Sequence, residues 1–297
     1  MLELAHAVAA LAWQAGNVVM SVYQTGAGVD FRHKADASPV TVADEQAEAC
    51  ILAGLAALTP RVPVVAEEAV SKGLGAVVGS ALGAGREGST GQTNSATSAR
   101  FWLVDPLDGT REFLARNGEF TVNIALVEGG RPVLGVVLAP ALPQGPVLYL
   151  GVAGHGAWRA AAPAAACRPG EGAPWVALQA RTVPPSGLTV VGSRSHGDDQ
   201  ALADFLAKAH AGQRLAEQRA IGSSLKLCLV AEGQADLYPR LGRTMEWDTA
   251  AGQAVVESAG GRVCTLQGAP LLYGKPGWEN PHFVASGLCP APPPSAG

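Results

Sequence analysis

Hydrophobic spacing changes character along the chain. Leu4, Val8, Leu11, Ala15, Val18 and Val22 recur at alternating four- and three-residue steps, the stripe of an amphipathic helix packed on a core. A second helix is predicted from about Thr41 to Leu58, with Ile51, Leu55 and Leu58 on its buried face. The period then shortens. RVPVVAEE (61–68) reads as a short strand running into two glutamates, and FWLV (101–104) as a strand that stops on Asp105 and Asp108. TVNIALVEGGRPVLGVVLAP and GPVLYLGVAGHGAWR read as antiparallel hairpins, turning at Gly129-Gly130 and around Gly151 to Gly156. Later, strand and helix patterns alternate: LTVVGSRSH, ADLYPR and RVCTL as strands, DDQALADFLAKAH, GSSLKLCLVAEG and DTAAGQAVVESAGG as helices.

Composition marks the boundaries. Residues 69–100 are rich in Gly, Ala, Ser and Thr and contain no aromatic residue. They read as a flexible excursion between strands, either a lid beside two acidic clusters or a plain surface insertion. The Ala/Pro stretch 160–174 and VPPSG (183–187) suggest a sub-domain boundary. The division expected is an N-terminal α+β sub-domain over 1–175, a C-terminal α/β sub-domain over 176–289 and a disordered tail over 290–297. No internal repeat is evident.

The 297 residues are 48% hydrophobic and 15% charged, which is a globular composition with enough chain for a large core. A formal net charge of -4 gives no general attraction to nucleic acid or anionic lipid, so an anionic ligand needs a local site. Five cysteines, an odd number with no C-x-x-C pair, argue against a disulfide framework or zinc knuckle and fit a reducing cytoplasm. The apolar N-terminus lacks a preceding Lys or Arg and is interrupted by Glu3, His6, Gln14 and Asn17, unlike a signal peptide. No other stretch is long and apolar enough to span a bilayer.

Three segments put carboxylates where a strand stops or a helix starts: Glu67 and Glu68 after VPVVA, Asp105 and Asp108 after FWLV, and Asp248 before TAAGQAVVESAGG. Hard oxygen ligands of this kind suit Mg²⁺ with water and phosphate. Each also has an ordinary reading. Pro106 and Asp108-Gly109 make a turn, Asp248 could N-cap the helix that follows, and the glutamates could be solvated. A helix starting at 109–114 would turn the backbone N–H groups of Gly109 and Thr110 into an anion seat beside the aspartates. Thr41 and Asp44 could form a capping-box-like pair, or Asp44 could polarise Thr110 and orient an attacking water.

WLVDPLDGTREF resembles the D-P-[IL]-D-G-T signature of the inositol monophosphatase superfamily, and EWDTAAGQAVVESAGG resembles its W-D-x-A-A-G signature. RNGEFTVNIALVEGGRPVLGVVLAP, SRSH and IGSSLKLCLVAEGQADLYPR are similar, more particularly, to the 3'(2'),5'-bisphosphate nucleotidase branch. The resemblance covers residues 5 to 288, and a joint match to two long signatures is specific.

The resemblance implies a layered α/β (α+β) sandwich, with an antiparallel sheet in the first half, a mixed sheet in the second, and the site between them. It implies that Glu67, Asp105, Asp108, Asp248 and the Leu107 carbonyl hold two or three Mg²⁺ ions. Gly109 and Thr110 would hold the scissile phosphate, and Thr110 with Asp44 the nucleophilic water. Ser223, Ser224 and Lys226 would face the second phosphate, unless the serines merely cap and Lys226 is a solvated helix residue. Glu67, Leu107, Asp108 and Asp248 would touch substrate as well as metal. The implied reaction is Li⁺-sensitive hydrolysis of 3'-phosphoadenosine 5'-phosphate, a by-product of sulfate assimilation, to AMP and phosphate. The metal would activate a water for in-line attack. An inositol or broad sugar-phosphate phosphatase is the alternative, and a silent nucleotide-binding scaffold a further one. The partner expected is a small phosphorylated nucleotide, in the cytoplasm, with homodimerisation and peripheral attachment to the inner face of the membrane left open.

Overall fold

A computed structural model describes residues 1–25, 31–33, 39–74, 100–161, 175–194, 199–209 and 213–288. Most of the 69–100 excursion, most of the Ala/Pro stretch, Ser195, His196 and the 290–297 tail lie outside the described residues.

Helices α1 (Leu2–Tyr23) and α2 (Val42–Leu58) pack together on one face of a seven-stranded sheet. The strands run in spatial order β3 (Val64–Ala66), β4 (Arg100–Asp108), β5 (Thr121–Glu128), β6 (Arg131–Ala139), β7 (Val147–Val152), β8 (Gly156–Ala161) and β9 (Trp175–Ala177). All neighbours are antiparallel except β3 and β4, so the expected antiparallel sheet carries one parallel pair at its edge. The apolar runs are explained by burial on both sides. Trp102, Val104, Ile124, Leu126 and Leu138 face α1 and α2, while Phe101, Leu103, Ala125, Val127 and Val137 face the other way.

That second face packs against α6 (Leu225–Ala231) and α7 (Glu246–Ser258). Behind these helices lies a mixed five-stranded sheet. Its order is β11 (Leu215–Ile221), β10 (Leu188–Ser193), β12 (Leu237–Arg240), β14 (Phe283–Ser286) and β13 (Arg262–Thr265), with β11 and β12 parallel to β10 and β14 antiparallel to both its neighbours. Helix α5 (Asp199–Ala209) covers its outer side through Leu202. A short ribbon, β1 (Phe31–His33) with β2 (Pro39–Thr41), leads into α2.

Several expectations need correction. The buried face of α1 is set by Ala5, Val8, Leu11, Ala12, Ala15 and Val19, with Leu4, Val18 and Val22 only half-buried, because small alanines let the helix sit close. Leu58, at the end of α2, is 40% exposed. Strands β1, β2, β9, β11 and β14 were not anticipated. Except for the last, they are short or solvent-facing edge segments, without the alternation that marks a half-buried strand.

Paired Gly135 and Gly151 on β6 and β7 decide how near α7 comes. A Cβ at Gly135 would lie 2.3 Å from the Ala251 carbonyl oxygen, and one at Gly151 2.5 Å from that of Ala254. Both obstacles are helix backbone, which cannot swing aside. Gly135→Ala is therefore expected to cost about 1–3 kcal/mol by overpacking. Gly192→Ala, where nothing lies within 4 Å, is expected to change stability by less than about 0.5 kcal/mol. Denaturant unfolding of the two variants distinguishes a packing requirement from a general intolerance of alanine.

Candidate active site

Asp105 and Asp108 lie three positions apart, which in a regular strand would send them to opposite faces. The ladder removes the conflict. Asp105 pairs with Asn123 and Asp108 with Thr121, so three steps on β4 match two on β5, and a bulge forms at Pro106-Leu107. Proline is tolerated there because a bulge needs no ladder donor. Gly109 follows at φ 91, a left-handed turn that favours glycine, and helix α4 (Thr110–Leu114) begins directly.

A cavity of about 400 Å³ opens at this point. Glu67 at the start of α3 (Glu67–Ser71), Asp105, Leu107, Asp108, Gly109, Thr110 and Asp248 line one side. Ser193, Ser223, Ser224, Lys226, Arg240 and Arg243 line the side formed by the second sheet and α6. The four acids come from three segments far apart in sequence, and all reach one space.

A neutral donor orients each aspartate. Leu107 N–H donates to Asp105 Oδ1 (2.9 Å), Met245 N–H to Asp248 Oδ2 (2.9 Å), and the Ser224 hydroxyl lies 2.8 Å from Asp108 Oδ2. Asp248 is thus not the N-cap expected. The helix starts two residues earlier, and Asp248 reaches back from its first turn to the Met245 backbone. Asp44, one turn into α2, divides its work similarly. Its Oδ2 accepts from the Thr41 N–H and hydroxyl (2.7 Å each), while Oδ1 faces the Thr110 hydroxyl at 3.5 Å. Capping and polarising Thr110 are therefore compatible, one per oxygen.

The donors just named are neutral, so they orient the carboxylates without cancelling their charge. Burial pushes the Asp105 and Asp248 carboxyls well above the ordinary range, and the repulsion among Glu67, Asp105, Asp108 and Asp248 pushes further. Burial also raises Asp108, opposed by the Lys226 ammonium and the Ser224 hydrogen bond. Asp44 is pushed up to about 7 by burial, with Glu68 and Glu67 adding to it. Glu48, one turn further along α2, is pushed up to about 7 for the same reasons while its Oε2 accepts from the Glu68 N–H at 2.8 Å. Among the described residues, no three His, Cys, Asp or Glu side chains stand close enough to form a finished metal cage. What the chain supplies is a wall of hard oxygen donors around an open cavity, a donor set that fits a divalent cation such as Mg²⁺.

The second side of the cavity differs from a simple phosphate seat. Ser224 is buried, and its hydroxyl lies against Asp108 and the Asp248 carbonyl (2.7 Å), tying the two acidic segments together. Lys226 is no solvated helix residue. It is buried, and its Nζ donates to the carbonyls of Ile221 (3.1 Å) and Ser223 (2.5 Å). Burial lowers its pKa to about 8, with Asp108 opposing. Ser223 sits at φ 48, a strained conformation for a residue with a side chain, and Lys226 holds it there.

Sequence reasoning missed Asn123, Arg240 and Arg243. Asn123 is buried and donates to Ser224 Oγ (2.8 Å), with Asp108 Oδ2 at 3.4 Å. An amide inside the apolar run TVNIAL was the signal. Arg240 ends ADLYPR just as the aspartates end their segments, and its guanidinium is fixed on the carbonyls of Gly242 and Arg243.

The inositol monophosphatase family model matches residues 1–289. The 3'(2'),5'-bisphosphate nucleotidase CysQ of Escherichia coli is 44% identical over 282 residues, 94% of this chain and 98% of that protein. That of Salmonella typhimurium is 43% identical over 279 residues, 93% and 96% of the two chains. Among solved structures, CysQ from Bacteroides thetaiotaomicron, described as a bacterial member of the inositol monophosphatase family, superposes with a TM-score of 0.71. It is 35% identical, and the match covers 95% of this chain and 97% of that one.

The raised carboxyls carry a pH signature. A carboxyl whose pKa is higher folded than unfolded takes up a proton on folding, so stability is lost as pH rises between the two values. For Asp44 that window runs from 3.8 to about 7. Metal-free protein is expected to melt at progressively lower temperature across this range, and added Mg²⁺ to reverse the loss most strongly at the alkaline end. Melting temperatures that rise with pH over this window would contradict the electrostatic description.

Proposed function

Because the chain belongs to the inositol monophosphatase family, we propose that it is a Mg²⁺-dependent phosphomonoesterase acting on a 3'(2'),5'-bisphosphate nucleotide, with 3'-phosphoadenosine 5'-phosphate as substrate. The observation that carries this reading is the meeting of Glu67, Asp105, Asp108 and Asp248 with the Gly109–Thr110 turn in one cavity. The 43–44% identity to proteins known as bisphosphate nucleotidases supports the nucleotide. The cavity's further side, with Lys226, Arg240 and Arg243, supports a substrate carrying a second anionic group.

In this reading Glu67, Asp105, Asp108, Asp248 and the Leu107 carbonyl hold the ions. Bound Mg²⁺ supplies positive charge at the phosphate and makes a water nucleophilic at neutral pH. The chain's own groups do the positioning. The backbone N–H groups of Gly109 and Thr110 orient the scissile phosphate. Asp44 Oδ1 accepts the Thr110 hydroxyl proton, leaving a Thr110 lone pair to take a hydrogen from the attacking water and aim its oxygen at phosphorus. The 3.5 Å contact is long, as such contacts are before substrate binds. Asp44 can in turn take the Thr110 proton as Thr110 takes one from that water. No covalent enzyme intermediate is required.

Phosphate release from 3'-phosphoadenosine 5'-phosphate and from inositol 1-phosphate, with Mg²⁺ and with or without Li⁺, tests the reading. The nucleotide is expected to turn over faster and Li⁺ to inhibit. Faster turnover of the inositol ester would move the assignment to the family's other branch, and turnover of neither would support the silent scaffold. Asp108→Asn is expected to reduce kcat at least about a hundredfold, the scale of losing one group that stabilises transition-state charge, with the circular dichroism spectrum unchanged. Near-normal activity of that variant would remove Asp108 from the ligand set.

A further inference from the structure

The cavity wall away from the carboxylates is assembled from ends that nothing in the reaction holds together. Strands β10 and β11 run parallel and finish side by side, Ser193 pairing with Ile221. Ser193, the last residue of β10, and Ser223, just past the end of β11, line the cavity. Carboxyl ends of parallel strands are where open α/β sheets receive ligands.

One carboxylate from the other sheet's side binds both ends. Glu119 precedes β5, and its Oε1 and Oε2 receive Arg194 Nη2 and Nε at 2.8 Å each, a bidentate pair. Glu119 Oε2 also accepts the Gly222 N–H at 2.8 Å. Arg194 in turn donates from Nη2 to the Ala220 carbonyl at 2.6 Å. Gly222 packs so closely that an added Cβ would lie 2.7 Å from the Glu119 carbonyl oxygen and 2.6 Å from Glu112 Cγ. The strained Ser223 turn is therefore gripped twice, by Lys226 from within its own segment and by Glu119 from across the molecule.

The ion pair itself adds little to stability. The Arg194 side chain is 46% exposed, and ion pairs that open to water contribute little to folding. What the contacts do is fix the 221–223 turn against the half of the molecule that carries the phosphate seat. We propose that Glu119 is a specificity-determining positioning residue. Through Gly222 and Arg194 it sets the wall that receives the part of the substrate beyond the reacting phosphate. The proposal rests on the reading of the cavity as a bisphosphate nucleotide site.

The test compares wild-type chain, Glu119→Gln and Arg194→Met on 3'-phosphoadenosine 5'-phosphate and on p-nitrophenyl phosphate, a small ester that carries no second phosphate. Wild-type turnover of the nucleotide answers the underlying reading by itself, and the variant-to-wild-type ratios answer the latch. Glu119→Gln keeps one acceptor oxygen for three donors, and KM for the nucleotide is expected to rise about tenfold, the scale of a charge-assisted hydrogen bond lost. Its kcat, and both constants for the small ester, are expected to stay within about twofold, the pattern of lost uniform binding. Arg194→Met is expected to shift the nucleotide KM in the same direction with an unchanged melting temperature. Equal losses on both esters, or a nucleotide KM unmoved in both variants, would overturn the proposal.

Discussion

Repulsion among buried carboxylates is the constraint around which the molecule is arranged. Asp105 is buried, and Asp108, Asp248 and Glu67 are half-buried around the same cavity. Like charges in such a setting repel by several kcal/mol at an effective dielectric of about 20. The groups that orient them are neutral, backbone N–H groups and the Ser224 hydroxyl, while the Lys226 ammonium and the Arg240 guanidinium offset only part of the repulsion at Asp108 and Asp248. The proposed role of the site, holding cations against a phosphate, uses the charge that folding tolerates.

Fixed direction requires rigid supports, and the layers supply them. Asp105 and Asp108 sit on a strand buried on both faces, and Asp248 lies in the first turn of a helix clamped between two sheets. Helix α7 reaches its depth because Gly135 and Gly151 present no side chain to it. Asp44 is fixed by the same hydrogen bonds that begin its helix. Capping and chemistry are therefore one arrangement here. An acid that completes a helix start through one oxygen is held in a single orientation, and a second oxygen is available for another partner.

This double use explains both what the sequence made legible and what it hid. The two aspartate signatures, the long helices and the central hairpins were readable because their periodicity and turn residues agree with their tertiary setting. Asp44 and Asp248 were ambiguous in isolation, since a cap and a ligand use the same residue types at the same place. The Ser223–Lys226 segment is ambiguous in the sequence for another reason. Its polar residues look outward-facing by pattern, yet Lys226 turns inward to hold carbonyls and Ser224 bridges Asp108 to Asp248. Contacts between segments about a hundred residues apart, such as Asn123 with Ser224 or Glu119 with Gly222, leave no periodic trace. Edge strand β11, exposed along most of its length, has no apolar alternation by which to be found.

The central claim is that these acids form a cation site with a phosphate seat beside it. Crystals of the full chain soaked with Mn²⁺ and inorganic phosphate, measured at the manganese absorption edge, address it most directly. The account predicts anomalous peaks between Glu67, Asp105, Asp108 and Asp248, with phosphate against the Gly109–Thr110 turn. Manganese bound elsewhere, or a cavity without a peak at saturating Mn²⁺, would contradict it.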